Sequence, residues 1–315
     1  MKTFYTLLIF ITLISCKDKK EEQLPLSGQP DMLSAPAYEA ISLLGDTLYS
    51  ATPSDSLVMR YNEKKVAYDA NPNKIETIIW HGRFTAYLGK YNEAIAIYTK
   101  GIEQFPNDPR LYRHRGHRYI TLRKFNRAIE DLTKAAQLIE GTKDEVEPDG
   151  MPNAQNIPVS TLHGNIYYHL GLAHYLNRSM GPALDAFKKC LETSNKPDNV
   201  VSATHWIYMI NRRLGRDDAA KNYVKNITSS MEVIENTAYH RACLFYKGDL
   251  ELKDINSENE ASTASDTALR YAIANWLYYT GYAERARVVY NEIVSQDDWA
   301  SFGYIAAEND LAKLY

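Results

Sequence analysis

Residues 80–106 read WHGRFTAYLGKYNEAIAIYTKGIEQFP, and residues 114–140 read HRGHRYITLRKFNRAIEDLTKAAQLIE. Laid over one another, they place Gly82 on Gly116 and Ala94 on Ala128 at a spacing of 34 residues, and Pro72 and Pro106 keep the same spacing. A fixed period in this range is the signature of stacked helix pairs, each of which buries its apolar face only against its neighbours. The expectation is an all-α chain built as a helical solenoid.

Each position in the frame has a physical reason. Small residues let two antiparallel helices approach closely, and large aromatic residues fill the space between successive hairpins. Proline ends the second helix because it cannot continue the hydrogen-bond ladder. In the first unit these roles fall to Trp80, Gly82, Leu88, Gly89, Tyr91, Ala94, Tyr98 and Pro106. In the second they fall to Tyr112, Gly116, Tyr119, Leu122, Phe125, Ala128, Leu132 and Ala135. Leu170, Gly171, Ala183 and Phe187 mark a third unit, Trp206, Leu214, Gly215, Ala220 and Val224 a looser fourth, and Trp276, Gly281, Ala286 and Tyr290 a fifth.

This pattern resembles the tetratricopeptide repeat (TPR) family over roughly 75–315. The resemblance implies a right-handed superhelix of antiparallel helix pairs. Clear repeats are expected at about 75–108, 109–140 and 164–197, weaker ones at 201–230 and 267–298, and an insertion at 141–161. Tyr38–Ser50 and Ser54–Ala70 read as an amphipathic capping hairpin, Met231–Leu252 as a helix or hairpin out of frame, and Trp299–Tyr315 as a C-terminal cap helix. All of 37–315 is expected to form one domain.

The N-terminus carries an address. Met1-Lys2 is a short positive region, Thr3–Ser15 an apolar run, and Leu13-Ile14-Ser15-Cys16 closes it. The run is too short to span a bilayer and suits a signal peptide over 1–15. Its end resembles the lipobox of bacterial lipoproteins, which implies that Cys16 is acylated and becomes the first mature residue. Residues 16–36, charged and then rich in Pro, Gly and Ser, read as a flexible tether. Lys17 after the cysteine implies an outer-membrane lipoprotein of the cell envelope, on either the periplasmic or the surface face.

With 315 residues, a formal net charge of -3 and 24% charged residues, the chain is too balanced to suggest nucleic-acid binding. Cys190 and Cys243 read as core thiols. No nucleophile elbow, phosphate-cradling glycine loop or dinucleotide fingerprint is present, so neither catalysis nor a cofactor is expected.

In the TPR family the first helix of each pair lines the concave surface. That frame assigns Arg83 to it in unit one, and Arg110, Arg113, His114 and His117 in unit two. It adds Asn165, Tyr168, His169 and Tyr175 in unit three, and His205, Arg212 and Arg213 in unit four. Arg113 and His117 share a helix face. Converging arginines suit carboxylate, phosphate or sulfate. The run Arg-His-Arg-Gly-His-Arg at 113–118 also reads as a solvated helix face with ordinary ion pairs.

His114 and His117 with His163, His169, His174 and His205 offer metal-ligand types, but without HExxH spacing, so no metal is expected. The acidic insertion, with Asp144, Glu145, Glu147 and Asp149, reads as a segment folded back on the arginines, either a lid or a brace. The expected function is therefore a non-catalytic, lipid-anchored protein that binds a protein or peptide partner, with anionic groups, in its concave face. The alternatives are glycan or nutrient capture, and a histidine-based metalloprotein.

Overall fold

The computed structural model describes residues 38–255 and 264–314. The signal segment, Cys16 and the tether lie outside the described residues.

The architecture is an all-α, TPR-like solenoid. Helix pairs α2 (Ile75–Tyr87) and α3 (Tyr91–Gln104), α4 (Pro109–Thr121) and α5 (Phe125–Leu138), and α6 (Leu162–Leu176) and α7 (Met180–Thr193) form the first three units. A fourth comprises α8 (Pro197–Arg213) and α9 (Asp217–Val224). The later pair is α12 (Ala264–Tyr279) and α13 (Ala283–Val294). Helix α1 (Asp55–Ala70) precedes the first unit, α10 (Thr237–Lys247) and the short α11 (Leu252–Ile255) separate the fourth unit from the later pair, and α14 (Phe302–Leu314) ends the chain.

The unit is held by a small residue facing a large one sixteen positions on. A Cβ on Gly82 would lie 2.4 Å from the Tyr98 ring, one on Gly116 2.7 Å from Leu132, and one on Gly171 2.8 Å from Phe187. Tyr98, Leu132 and Phe187 are almost wholly buried. Two of the helix starts that bear on the site are capped by side chains: Asp108 accepts from the Arg110 N–H with Pro109 at the first turn, and Thr161 accepts from the Gly164 N–H.

Residues 38–50 depart from the expected helical hairpin. They form a two-stranded antiparallel ribbon, β1 (Tyr38–Ile41) and β2 (Thr47–Tyr49). The turn runs through Gly45 at φ +98°, and the Ser42 hydroxyl accepts from the backbone N–H groups of Leu44 and Asp46. Gly45-Asp46 is a turn signal that ends any helix, and the ribbon buries Ala40 and Leu48 against Leu122.

The C-terminal helix departs further. It was expected as an outer cap, yet residues 303–311 are buried. Helix α14 packs in the cleft of α12 and α13 and also reaches α6. There Glu308 and Asp310, both with no exposed surface, meet arginines from much earlier units. Arg123 pairs with Glu308, while Arg178 and Arg213 pair with Asp310. The ribbon joins the same junction: the Leu43 N–H donates to Glu308, and the Trp299 indole N–H donates to the Tyr49 carbonyl at 2.7 Å. The two ends of the repeat array therefore meet, and the helical succession closes on itself.

Candidate functional site

The first helices of successive pairs pack side by side, α2 on α4 and α4 on α6, and form the face taken here as the inner one; the structure sorts the arginines and histidines expected there into three groups. One group converges. Arg83 of α2 and Arg113, His114 and His117 of α4 border a single cavity of about 120 Å3, together with Tyr87, Tyr98 and Arg118. Arg118 is not among the residues that the repeat frame assigns to this face. It lies four residues after His114, a spacing that puts both on one helix face.

A second group is present on the inner face but covered. His169 stands with its ring centroid 4.3 Å from that of His117, and Phe302 of the closing segment packs on both, at 5.6 and 5.2 Å. Tyr168 lies 6.2 Å from the same phenyl ring, and its hydroxyl bonds with that of Tyr239 and accepts from the Trp206 indole N–H.

The third group does not join the site. Arg110 sits at the start of α4, where it binds Asp108 and Glu76, so it braces a helix terminus. His205 is buried between Tyr239 and Tyr246 and bonds the Tyr246 hydroxyl at 3.2 Å. Arg212 pairs with Asp217 and stacks on Tyr279, and Arg213 is consumed by Asp310 and Asn275. For the α8 residues the reason is shared: α10 and α12 pack on α8 and supply the rings of Tyr239, Tyr246 and Tyr279, and α14 supplies the buried Asp310 carboxylate, where an open groove was expected. Tyr175 is likewise a core residue, bonded to Tyr271 at 2.6 Å.

The insertion folds onto the convergent arginines. The carboxylate of Glu147, buried, lies 3.3 Å from an Arg113 Nη and 3.5 Å from His114 Nε2, and accepts from the Asn165 amide at 2.8 Å. Arg83 donates to the Pro148 carbonyl at 2.7 Å, and Arg60 of α1 donates to that of Gly150 at 2.6 Å. Gly150 has no room for a side chain, since a Cβ there would meet the Tyr87 hydroxyl at 2.4 Å.

Burial, reinforced by the Arg83, Arg113 and Arg118 charges, holds His114 well below the ordinary histidine range; His117 is held down by burial and then by Arg118. His169 is lowered by burial and by Arg113. All three rings are therefore neutral at neutral pH. Nδ1 of His114 faces an Arg113 Nη at 2.9 Å and Nδ1 of His117 faces an Arg118 Nη, so each accepts there and carries its proton on Nε2.

Next to this cavity, a larger inner-face groove of about 270 Å3 opens across α6, α8 and the start of α10. Asn165, Asn199, Ser202, Glu235 and Asn236 line it with the Tyr168 and Tyr239 rings. Asp198 at its base accepts from the backbone N–H groups of Ile234, Glu235 and Asn236, which fixes the 231–236 segment as a wall.

Among the described residues, no group of three or more His, Cys, Asp or Glu side chains is placed to hold a metal ion. Cys190 and Cys243 are separate buried thiols, in keeping with the expectation of core thiols. No helix among the described residues is long and apolar enough to cross a membrane.

No protein-family model matches the chain, and no curated protein matches it. Among solved structures it is similar to a tetratricopeptide repeat protein from Parabacteroides merdae, at 20% identity over 79% of this chain and 92% of that one, with a TM-score of 0.49. It is also similar to YrrB, described as a TPR protein with an unusual peptide-binding site, at 16% identity over 75% and 95% of the two chains and a TM-score of 0.42. MamA is similar at 19% identity over 60% and 90%, with a TM-score of 0.42. These likenesses concern the fold alone.

Proposed function

We propose that this chain is a non-catalytic adaptor of the bacterial cell envelope, anchored to the outer membrane through acylated Cys16, which holds a protein or peptide segment bearing anionic groups on its inner face. The observation that supports it is the groove lined by amide, hydroxyl and aromatic groups of α6 and α8, the first helices of two successive repeats, and of the start of α10. Such a surface pairs with extended backbone and side chains over several units. Its strongest polar groups are already engaged: His169 Nδ1 bonds the Asn165 carbonyl, and Tyr168 bonds Tyr239 and Trp206. Groups fixed this way position a ligand and leave little for proton transfer.

Glycan capture is the second reading, supported by the Tyr168, Tyr239 and Phe302 rings among those amides. One experiment separates the readings. A photo-crosslinking residue replaces Glu235, on the groove rim, in cells; the control replaces Glu130 on the exposed surface of α5. A protein captured at 235 and not at 130 supports the adaptor. Capture at both positions, or at neither, sinks it, and binding of the purified protein to envelope glycans would then favour the second reading. Palmitate labelling that survives Cys16→Ser would overturn the anchor.

A further inference from the structure

The cavity between α2 and α4 has the wrong charge balance for a structural void. Three arginines, Arg83, Arg113 and Arg118, line it, and their charges are close enough to act on one another. Among the described residues, the one carboxylate in ion-pair contact with any of them is Glu147, on Arg113. Arg83 is otherwise matched by the Pro148 carbonyl, the Tyr87 hydroxyl and the face of Trp80, and Arg118 by the His117 ring and the face of Tyr91. None of these carries negative charge. Arg113 is 8% exposed, and its Nε is buried with no hydrogen-bond partner. Leaving such a donor unmade costs about 1–3 kcal/mol, more when it is charged, and like charges held together out of water repel at low dielectric.

We propose that this cavity is a binding site for a single small oxyanion of the phosphate or sulfate class, held by Arg83, Arg113 and Arg118. Geometry supports the class. The volume of about 120 Å3 far exceeds what a water molecule needs. It falls short of the roughly 300 Å3 typical of sites for sugar- or nucleoside-sized ligands. A free ion or the terminal group of a larger ligand fits. Three guanidinium forks carried on two helices offer more donors than one planar carboxylate can accept and suit a tetrahedral array of oxygens.

The histidines fit the same ligand. Their neutral rings accept from Arg113 and Arg118 on Nδ1, steadying those forks, and present Nε2–H donors, with the Tyr87 and Tyr98 rings completing the wall. Glu147 stands on Arg113 and His114 as an internal competitor: its carboxylate contacts both at 3.3 and 3.5 Å, longer than a well-made ion pair, and one oxygen is buried without a hydrogen-bond partner. The site deepens the partner reading by giving its anionic group an address, but its test needs no partner.

The test is calorimetric titration of the purified full chain, in chloride buffer at constant ionic strength, with sodium phosphate and separately with sodium sulfate. The expected result is saturable one-to-one binding, weakened about tenfold or more in Arg118→Gln, as loss of a charge-assisted contact requires. It should be strengthened in Glu147→Gln, which removes the competing charge. Arg83→Gln, on a less buried side chain, serves if Arg118→Gln alters the circular-dichroism spectrum. No saturable heat from either anion through the millimolar range overturns the site, and so does equal affinity in Arg118→Gln and Arg83→Gln. A phosphoserine peptide that binds more tightly than inorganic phosphate identifies a group carried on a partner; one that binds equally or less tightly identifies the free ion. Either result upholds the site. Partner capture at 235 without anion binding would leave the adaptor standing and remove this site alone.

Discussion

Arg123 and Glu308, 185 residues apart in sequence, form a buried ion pair that closes the solenoid: Arg123 Nε lies 3.0 Å from Glu308 Oε2, and the carboxylate has no exposed surface. Arg123 occupies the turn between the two helices of its unit at φ +60°, and Arg178 occupies the equivalent turn at φ +63°. Other units place Gly89, Gly215 and Gly281 there, also at positive φ. A left-handed non-glycine residue costs about 1–2 kcal/mol. Both arginines accept that cost where glycine would avoid it, and both reach a buried carboxylate on α14.

Glu308→Gln should therefore lower the melting temperature sharply, because it leaves Arg123 charged and buried. Breaking one side of a buried pair costs about 3–5 kcal/mol. Arg123→Gly in the Glu308→Gln background should recover part of the loss by removing both the stranded charge and the left-handed strain. A double-mutant cycle by thermal or urea unfolding measures it, and purely additive effects would refute the pairing.

Gly82→Ala should destabilise by about 1–3 kcal/mol through overpacking, since its new Cβ would lie 2.4 Å from a buried ring. Gly181→Ala, where a Cβ meets nothing within 4 Å, should be neutral or stabilising. Chemical denaturation of the two variants checks the contrast.

Stability should fall as pH drops from neutral. Burial alone takes His205 to about 3, well below its unfolded value. Between about 6.5 and 3 the unfolded chain binds a proton that the folded chain refuses, so stability declines with acidification across that window. The slope for this one residue is about 1.4 kcal/mol per pH unit. His205→Gln should flatten the dependence relative to wild type in urea melts between neutral pH and 5. An unchanged slope would show that His205 protonates in place.

Glu147→Ala should loosen the insertion selectively. Hydrogen exchange over 142–160 should rise while α6 and α8 keep their protection, because Glu147 is the side chain that pins the loop to Arg113, His114 and Asn165. Uniformly raised exchange would instead make the loop part of the global core.

Cys190 and Cys243 should resist thiol reagents in the native protein. Both are buried, and burial pushes the Cys190 thiol up to about 12 and raises that of Cys243 as well. Labelling should appear only on unfolding, and native labelling of either would contradict its placement.

The repeat units were readable in the chain itself. Gly82, Gly116 and Gly171 announce close helix approach, and the residues that need that space, Tyr98, Leu132 and Phe187, follow within the same hairpin. The site was readable in part. Arg113 and His117 share a face by spacing, but Arg118, pointing to the same cavity, was passed over, and Glu147 arrives from a loop whose path no periodicity describes. Arg110, Arg212 and Arg213 fall on first helices of their pairs, as Arg83 does, yet their carboxylate partners come from other elements.

The division has a physical cause. Sequence alone determined the pairing of helices, because the contacts that make a helix hairpin act within one 34-residue period and are written as a local pattern of small, large and apolar residues. Tertiary structure alone decided that the ends meet, that α14 is buried and that some arginines are spent on closure while others are left facing a cavity. Closure is the sum of small rotations between successive units, so Arg123 finds Glu308 only after the whole array has packed.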